Sequence, residues 1–206
     1  MAIAFDRTRV IFDGGTRSLV MDLENKSTEL PYMVQAWMED RSGKKIEGPL
    51  VVAPATQVIE AGSKGRLTIL VLGSTDAQDR ETLFYLNFRE LPPPRRTASD
   101  SQIALRHRLE LFYRPKGLAV VPEAGSGSKA AQDLQVSRSG QELTLANSSG
   151  YFVTLASLTV DGLDLGHESR RVIGPFSSAT WTVQSEEGKV RWTYIDDSGE
   201  RVTVGQ

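Results

Sequence analysis

Along most of this chain apolar and polar residues alternate with period two, in short runs broken by turn-forming residues, and no long window carries the period of a helix. The pattern predicts an all-β protein. In the first half the runs are Ile3–Phe12, Ser18–Asn25, Tyr32–Met38, Gly65–Leu72, Leu83–Arg89 and Gln102–Tyr113. Polar and glycine-bearing segments separate them, among them Asp13-Gly14-Gly15, Asp40-Arg41-Ser42-Gly43 and Ala61-Gly62-Ser63, which read as turns. Strands at this spacing fit one immunoglobulin-like sandwich.

After Tyr113-Arg114-Pro115-Lys116-Gly117 the pattern restarts, with runs at Leu134–Ser137, Leu143–Asn147, Phe152–Val160, Thr180–Val183, Val190–Ile195 and Val202–Val204. These predict a second sandwich. Pro115 lacks a ladder donor and Gly117 permits a sharp change of direction, so the boundary is placed there, giving domains 1–115 and 116–206. The stretch Ala124-Gly125-Ser126-Gly127-Ser128 reads as a loop inside the second domain, behind that domain's first strand.

Composition narrows the function classes. The 206 residues are 39% hydrophobic and 24% charged, close to soluble globular averages, and 206 residues can bury two separate cores. A formal net charge of −2 argues against a nucleic-acid binder. The absence of cysteine excludes a disulfide framework, thiolate metal sites and thiol nucleophiles. The two histidines, His107 and His167, stand in different predicted domains, with no paired-histidine motif and no nucleophile elbow. The reading is therefore non-enzymatic, with no metal, cofactor or nucleotide. No apolar run is long enough to span a membrane, and Met1-Ala2-Ile3-Ala4-Phe5-Asp6 lacks the regions of a signal peptide. Asn25-Lys26-Ser27 and Asn147-Ser148-Ser149 match a glycosylation acceptor pattern that matters only in a eukaryotic secreted protein.

Three segments, in order, resemble the periplasmic pilus (fimbrial) chaperones of the chaperone-usher pathway. Phe5-Asp6-Arg7-Thr8-Arg9-Val10-Ile11-Phe12-Asp13-Gly14 is close to that family's opening strand. Asp79-Arg80-Glu81-Thr82-Leu83-Phe84-Tyr85-Leu86-Asn87-Phe88-Arg89-Glu90-Leu91-Pro92-Pro93 resembles its signature around the sixth strand. Gln102-Ile103-Ala104-Leu105, running on to Leu111-Phe112-Tyr113-Arg114-Pro115, resembles the last strand of its first domain, and Pro31-Tyr32 with Gln35-Ala36-Trp37 adds to the match. The second domain is carried by Asn147, Tyr151-Phe152-Val153-Thr154 and Tyr194-Ile195-Asp196-Asp197.

The resemblance implies two immunoglobulin-like sandwiches set as an L or boomerang. It also implies donor-strand complementation, in which a chaperone strand fills the groove of a pilus subunit lacking its own last strand. On alternation alone Ile103 and Leu105 would pack in their own domain; the resemblance makes them donated residues, on a strand face with His107, Leu109 and Leu111. Ser101 stands where the family often carries a further large apolar residue.

The family anchors the subunit's C-terminal carboxylate between an arginine of the first strand and a lysine of the last. Arg9 matches the arginine, and Glu110 stands where the lysine is expected. Arg108, on the same strand face as Glu110, is the candidate second anchor, with Arg106 behind it. Glu81, Arg114 and Asp197, with Asp196 an alternative to the last, are expected to form an interdomain ion-pair network. The loop Leu91–Asp100 resembles the short-loop branch of the family.

The partners implied are pilus subunits and the outer-membrane usher, with no nucleic acid and no membrane insertion. The free chain is expected to be monomeric or weakly self-associated. The location implied is the periplasm, with an export signal removed ahead of Met1. The competing reading is a tandem immunoglobulin-like adhesive or structural surface module.

Overall fold

A computed structural model describes residues 2–73, 75, 77–93, 104–118, 126–166, 171–184 and 187–205. Its contacts divide the chain into two compact units, one of Met1–Asp76 with Thr82–Tyr113, the other of Ala77–Glu81 with Arg114–Gln206.

The first unit holds β1 (Ile3–Phe5), β2 (Val10–Asp13), β3 (Ser18–Asn25), β4 (Tyr32–Glu39), β5 (Lys45–Ile46), β6 (Leu50–Ala53), β7 (Thr56–Ile59), β8 (Lys64–Val71), β9 (Thr82–Leu91) and β10 (Leu105–Arg114), whose last residue passes to the second unit. One sheet runs β1-β3-β8-β6; the other runs β2-β10-β9-β4-β5, with β7 also paired to β4. Each strand buries alternate residues. β4 turns Val34, Ala36 and Met38 inward and β9 turns Phe84, Leu86 and Phe88 inward, and these meet Met21, Leu23, Leu67 and Ile69 of the opposite sheet.

The single strand expected over Ile3–Phe12 is two strands in different sheets, β1 beside β3 and β2 beside β10. Ile3, Val10 and Phe12 are all buried in one core, so the chain crosses the sandwich edge between them, and one straight strand could not pair in both sheets. The alternation continues through the crossing, which is why the sequence reads as uninterrupted. The short strands β5, β6 and β7 were not expected either; Pro49 and Pro54 punctuate that region and mask its pattern.

The second unit holds α1 (Ser126–Gln132), β11 (Gln135–Ser139), β12 (Glu142–Asn147), β13 (Val153–Val160), β14 (Leu163–Asp164), β15 (Val172–Ile173), β16 (Ser177–Thr182), β17 (Val190–Ile195) and β18 (Arg201–Gly205). Its sheets run β11-β12-β16 and β14-β13-β17-β18, with β15 also on β13. Leu143, Leu145, Leu155, Leu158, Trp181, Trp192 and Tyr194 fill the space between them.

The loop expected over Ala124–Ser128 is in its described part the start of α1. Ala130 and Ala131 are buried, Trp192 Nε1 donates to the Ala131 carbonyl at 2.8 Å, and Lys129 pairs with Asp133 at 2.6 Å one turn on. Tertiary packing thus makes a helix of a glycine- and serine-rich start. The first strand expected before it lies ahead of Ala124, and residues 119–125 are outside those described.

Candidate functional site

The strand β10 pairs with β9 along its length, Leu105 opposite Glu90 through Tyr113 opposite Thr82. On its other side lies β2, four residues against ten. Phe12 stacks on Tyr113 at 5.8 Å, and the Arg9 guanidinium lies over the Phe112 ring at 4.6 Å, which sets β2 against the C-terminal half of β10. Among the described residues, no strand covers the outer edge of the N-terminal half. A strand edge left uncovered is a template for a further strand.

Side chains on this open half divide by face. Leu105 is 38% exposed, while Leu109 packs against the core. His107 lies between them, with its Nε2 3.3 Å from Glu90 Oε1 and its ring edge-on to Phe5 at 5.2 Å. Glu90 Oε2 accepts the backbone N–H of Ala2 at 2.9 Å and of Ile3 at 2.8 Å, so one buried carboxylate ties the start of β1 to the middle of β10. Ile103, expected to be donated with Leu105, lies outside the described residues, as do Ser101, most of the Leu91–Asp100 loop and His167.

On the opposite face Arg9, just ahead of β2 and with its side chain only 6% exposed, reaches over β10 to Glu110, Nη2 to Oε2 3.8 Å. Glu110 stands directly across from Tyr85 on β9. Arg108, two residues earlier, stacks its guanidinium on the Tyr85 ring at 3.5 Å and pairs through Nε with Glu39 Oε2 at 3.5 Å. Arg106 donates to the other Glu39 oxygen at 2.6 Å and, through Nε and Nη2, to Asn87 Oδ1 at 3.0 and 2.8 Å. Trp37 Nε1 also donates to Glu39 Oε1, at 2.8 Å, and the Arg89 and Arg106 guanidiniums lie within 6 Å of its ring.

Arg9 and Glu110 are thus neighbours, whereas Arg108 is turned toward Glu39. Glu39 was not anticipated. It ends β4, a strand away from β10, and only the pairing β4-β9-β10 brings it under the two arginines. Glu90 did leave a signal, because it continues the inward positions of Phe84, Leu86 and Phe88, and an acid in that register needs buried partners.

The structure brings Glu81, Arg114 and Asp197 together, all within the second unit. Arg114 Nε donates to Glu81 Oε1 at 2.9 Å, Nη1 and Nη2 each reach Asp197 Oδ2 at 3.2 Å, and Glu81 Oε2 accepts the Phe152 N–H at 2.7 Å. Burial opposes the charge on Arg114, but Glu81 and then Asp197 outweigh it and raise its pKa above the ordinary arginine value.

Chemically, the first-unit site offers an open strand edge, an apolar residue presented on it, and a nearly buried guanidinium suited to a carboxylate. Glu110, 3.8 Å from that guanidinium, is its anionic member. Among the described residues no cluster of acids and histidines could hold a metal ion, and no helix is long and apolar enough to cross a membrane.

Comparison with known proteins finds the same architecture. Residues 2–119 match the family described as pili and flagellar-assembly chaperone, PapD N-terminal domain, and residues 129–205 match pili assembly chaperone PapD, C-terminal domain. The probable fimbrial chaperone YfcS of Escherichia coli K12 is 36% identical over 205 residues, which are 97% of this chain and 80% of that protein. Chaperone protein PapD of Escherichia coli is 34% identical over 211 residues, 97% of this chain and 84% of that one. Among solved structures, the periplasmic chaperone SfaE superposes with a TM-score of 0.81 at 28% identity, covering 98% of both chains.

Proposed function

Because the chain belongs to the pili-assembly chaperone family, we propose that it captures pilus subunits in the periplasm by donor-strand complementation and delivers them to an outer-membrane usher. The observation that carries this reading is the open edge of β10. An incomplete immunoglobulin-like subunit exposes a groove between two strand edges, and the N-terminal half of β10 supplies the missing ladder, with Leu105 as its apolar peg. Leu109 and His107, packed into the parent domain, hold the donor strand in register.

Arg9 receives the subunit's terminal carboxylate and fixes how far along β10 the subunit sits. Arg108 adds a second positive charge on the same face. Capture includes no bond-making step, so no catalytic group or cofactor takes part. Release follows when a better-fitting strand from the next subunit replaces β10, and the free energy comes from the subunit completing its fold.

The test is periplasmic co-production of the chain with pilus subunits, reading recovery of a soluble one-to-one complex. Arg9→Ala is expected to lower recovery about tenfold and Arg108→Ala about two- to threefold, as for charge-assisted contacts of unequal burial. A complex indifferent to Arg9 would keep strand donation and discard the anchor. Failure to capture any subunit would favour the tandem adhesive module.

A further inference from the structure

We infer that Glu39 is a positioning residue for strand donation, holding the N-terminal half of β10 in place on β9 before a subunit arrives. The inference rests on the chaperone reading above and adds to it a residue that works through two arginines and not by touching the subunit.

A strand bonded along one edge alone frays more readily than one bonded along both, and a slip of one residue turns its apolar face the other way. The N-terminal half of β10 has β9 on one side and, among the described residues, no strand on the other. Leu105, His107 and Leu109 lie on one face of it, Arg106 and Arg108 on the opposite face. Both arginine side chains run across β9 to β4. Arg106 Nη2 donates to Glu39 Oε1 at 2.6 Å, and its Nε and Nη2 reach Asn87 Oδ1 of β9 at 3.0 and 2.8 Å. Arg108 crosses over the Tyr85 ring at 3.5 Å, with its Nε 3.5 Å from Glu39 Oε2. Trp37 Nε1 donates to Glu39 Oε1 at 2.8 Å, so the carboxylate is itself fixed from its own strand. One side chain thus ties three strands together at the part of β10 that is donated.

Its burial fits that task. Glu39 follows the inward-facing Met38 and so lies on the sheet face turned from the core, yet its side chain is only 7% exposed, against 48% and 42% for Arg106 and Arg108. Charge gives a second reason. Arg106 stands directly opposite Arg89, and both guanidiniums lie against the Trp37 ring, at 5.2 and 5.8 Å. Like charges opposite one another on paired strands push those strands apart, and the Glu39 carboxylate on Arg106 offsets that push. A donor strand already ordered loses less conformational freedom on capture, which favours the complex.

The experiment reads amide hydrogen exchange along β10 in the free full chain, and the rate at which that chain forms a soluble complex with a strand-deficient pilus subunit. In the wild type, the amides of Leu105–Leu109 that face β9 are expected to be protected before any subunit binds. Glu39→Gln, which keeps the size and removes the charge, is expected to speed their exchange about tenfold and slow capture about fivefold, while β3 and β8 of the opposite sheet stay within about twofold of wild type. Adding Arg89→Gln, which removes the opposed charge, should recover about half of each loss on a logarithmic scale. Wild-type amides in that segment exchanging as freely as loop amides would overturn the inference, a result that needs no variant to fold. So would a Glu39→Gln variant whose β10 exchange or capture rate is unchanged, whose β3 and β8 exchange speeds up as much as that of β10, or whose losses Arg89→Gln does not relieve. A wild type that captures none of several subunits would instead overturn the chaperone reading, and the donation role with it.

Discussion

Two asparagines do comparable work in the two units. The Asn25 carboxamide donates to the carbonyls of Leu30, Ile59 and Glu60 at 2.9, 2.9 and 3.2 Å, and its oxygen accepts the Ser27 N–H at 3.0 Å. Asn147 donates to the carbonyls of Tyr151 and Gly174 at 2.7 and 2.9 Å, and accepts from the N–H and hydroxyl of Ser149. Both side chains are buried. The Asn-x-Ser pattern that resembles a glycosylation acceptor is here a loop-organising device, with the serine two residues on returning a bond to the asparagine. Removing the carboxamide strands several backbone carbonyls away from water, each a cost of about 1–3 kcal/mol. Asn25→Ala and Asn147→Ala are each expected to lower stability by about 2–3 kcal/mol in urea unfolding, the first acting on the first unit and the second on the second. A loss under about 0.5 kcal/mol would show that water replaces these bonds and that the loops support themselves.

At the scale of elements, one turn design also appears twice. The β4–β5 hairpin carries Asp40-Arg41-Ser42-Gly43-Lys44 and the β17–β18 hairpin carries Asp196-Asp197-Ser198-Gly199-Glu200. In each, the glycine is left-handed, at φ 85° and 89°, and donates its N–H to the aspartate carbonyl at 3.0 Å. The aspartate Oδ1 accepts the serine N–H and hydroxyl and the N–H of the residue four on. These bonds favour the charged carboxylate. For Asp40 the serine hydroxyl contributes most to lowering the pKa; for Asp196 burial pushes the other way and the serine and backbone donors overcome it. A folded pKa below the unfolded value of 3.8 means that the turn's stabilisation is complete above that value and is lost as pH falls through the folded one. Amide resonances of Ser42, Lys44, Ser198 and Glu200 should therefore hold steady from neutrality to about pH 5 and shift with midpoints below 3.8. Midpoints at or above that value would remove the carboxylate from the turn.

How much of this the sequence shows depends on whether the determinant is local. The strands with clean alternation, such as β3, β8, β12 and β17, were legible because each face of a sandwich strand is written every second residue. The break between β1 and β2 was not, since crossing from one sheet to the other keeps the alternation while changing the hydrogen-bond partner. The helix α1 was hidden by glycine and serine, because its reason for being helical is a contact with Trp192 some sixty positions away. The same division runs through the site. Arg9 and Glu110 could be named from the strand segments that contain them, whereas the hold of Glu39 on Arg106 and Arg108 depends on three strands lying side by side.

For the molecule as a whole, the second unit gathers pieces that lie far apart in sequence. Ala77–Glu81 leaves the chain between β8 and β9 to join it, and Arg114 joins it from the end of β10. The Glu81 N–H donates to the Gly150 carbonyl at 2.8 Å, and a Cβ on Gly150 would stand 2.6 Å from the Asp79 carbonyl oxygen, so a glycine is what lets that segment lie against the loop. Arg114 then locks the arrangement, binding Glu81 on one side and Asp197 of the β17–β18 turn on the other, with its guanidinium 5.0 Å from the Tyr151 ring. The Glu81 side chain is only 2% exposed, and without Arg114 its charge would keep the Phe152 N–H but lose its cation. Breaking a buried pair from one side typically costs about 3–5 kcal/mol, far more than the net worth of the intact pair, because the surviving charge is left desolvated. Arg114→Ala is therefore expected to destabilise the second unit by about that amount in thermal or urea unfolding of the full chain. Pairing Glu81→Gln with Arg114→Met should recover a substantial part of the loss, since the double variant removes both charges and keeps most of the volume. If the double variant is as unstable as Arg114→Ala alone, the network contributes through its shape and hydrogen bonds to Asp197 and Phe152, and not through the balance of buried charge.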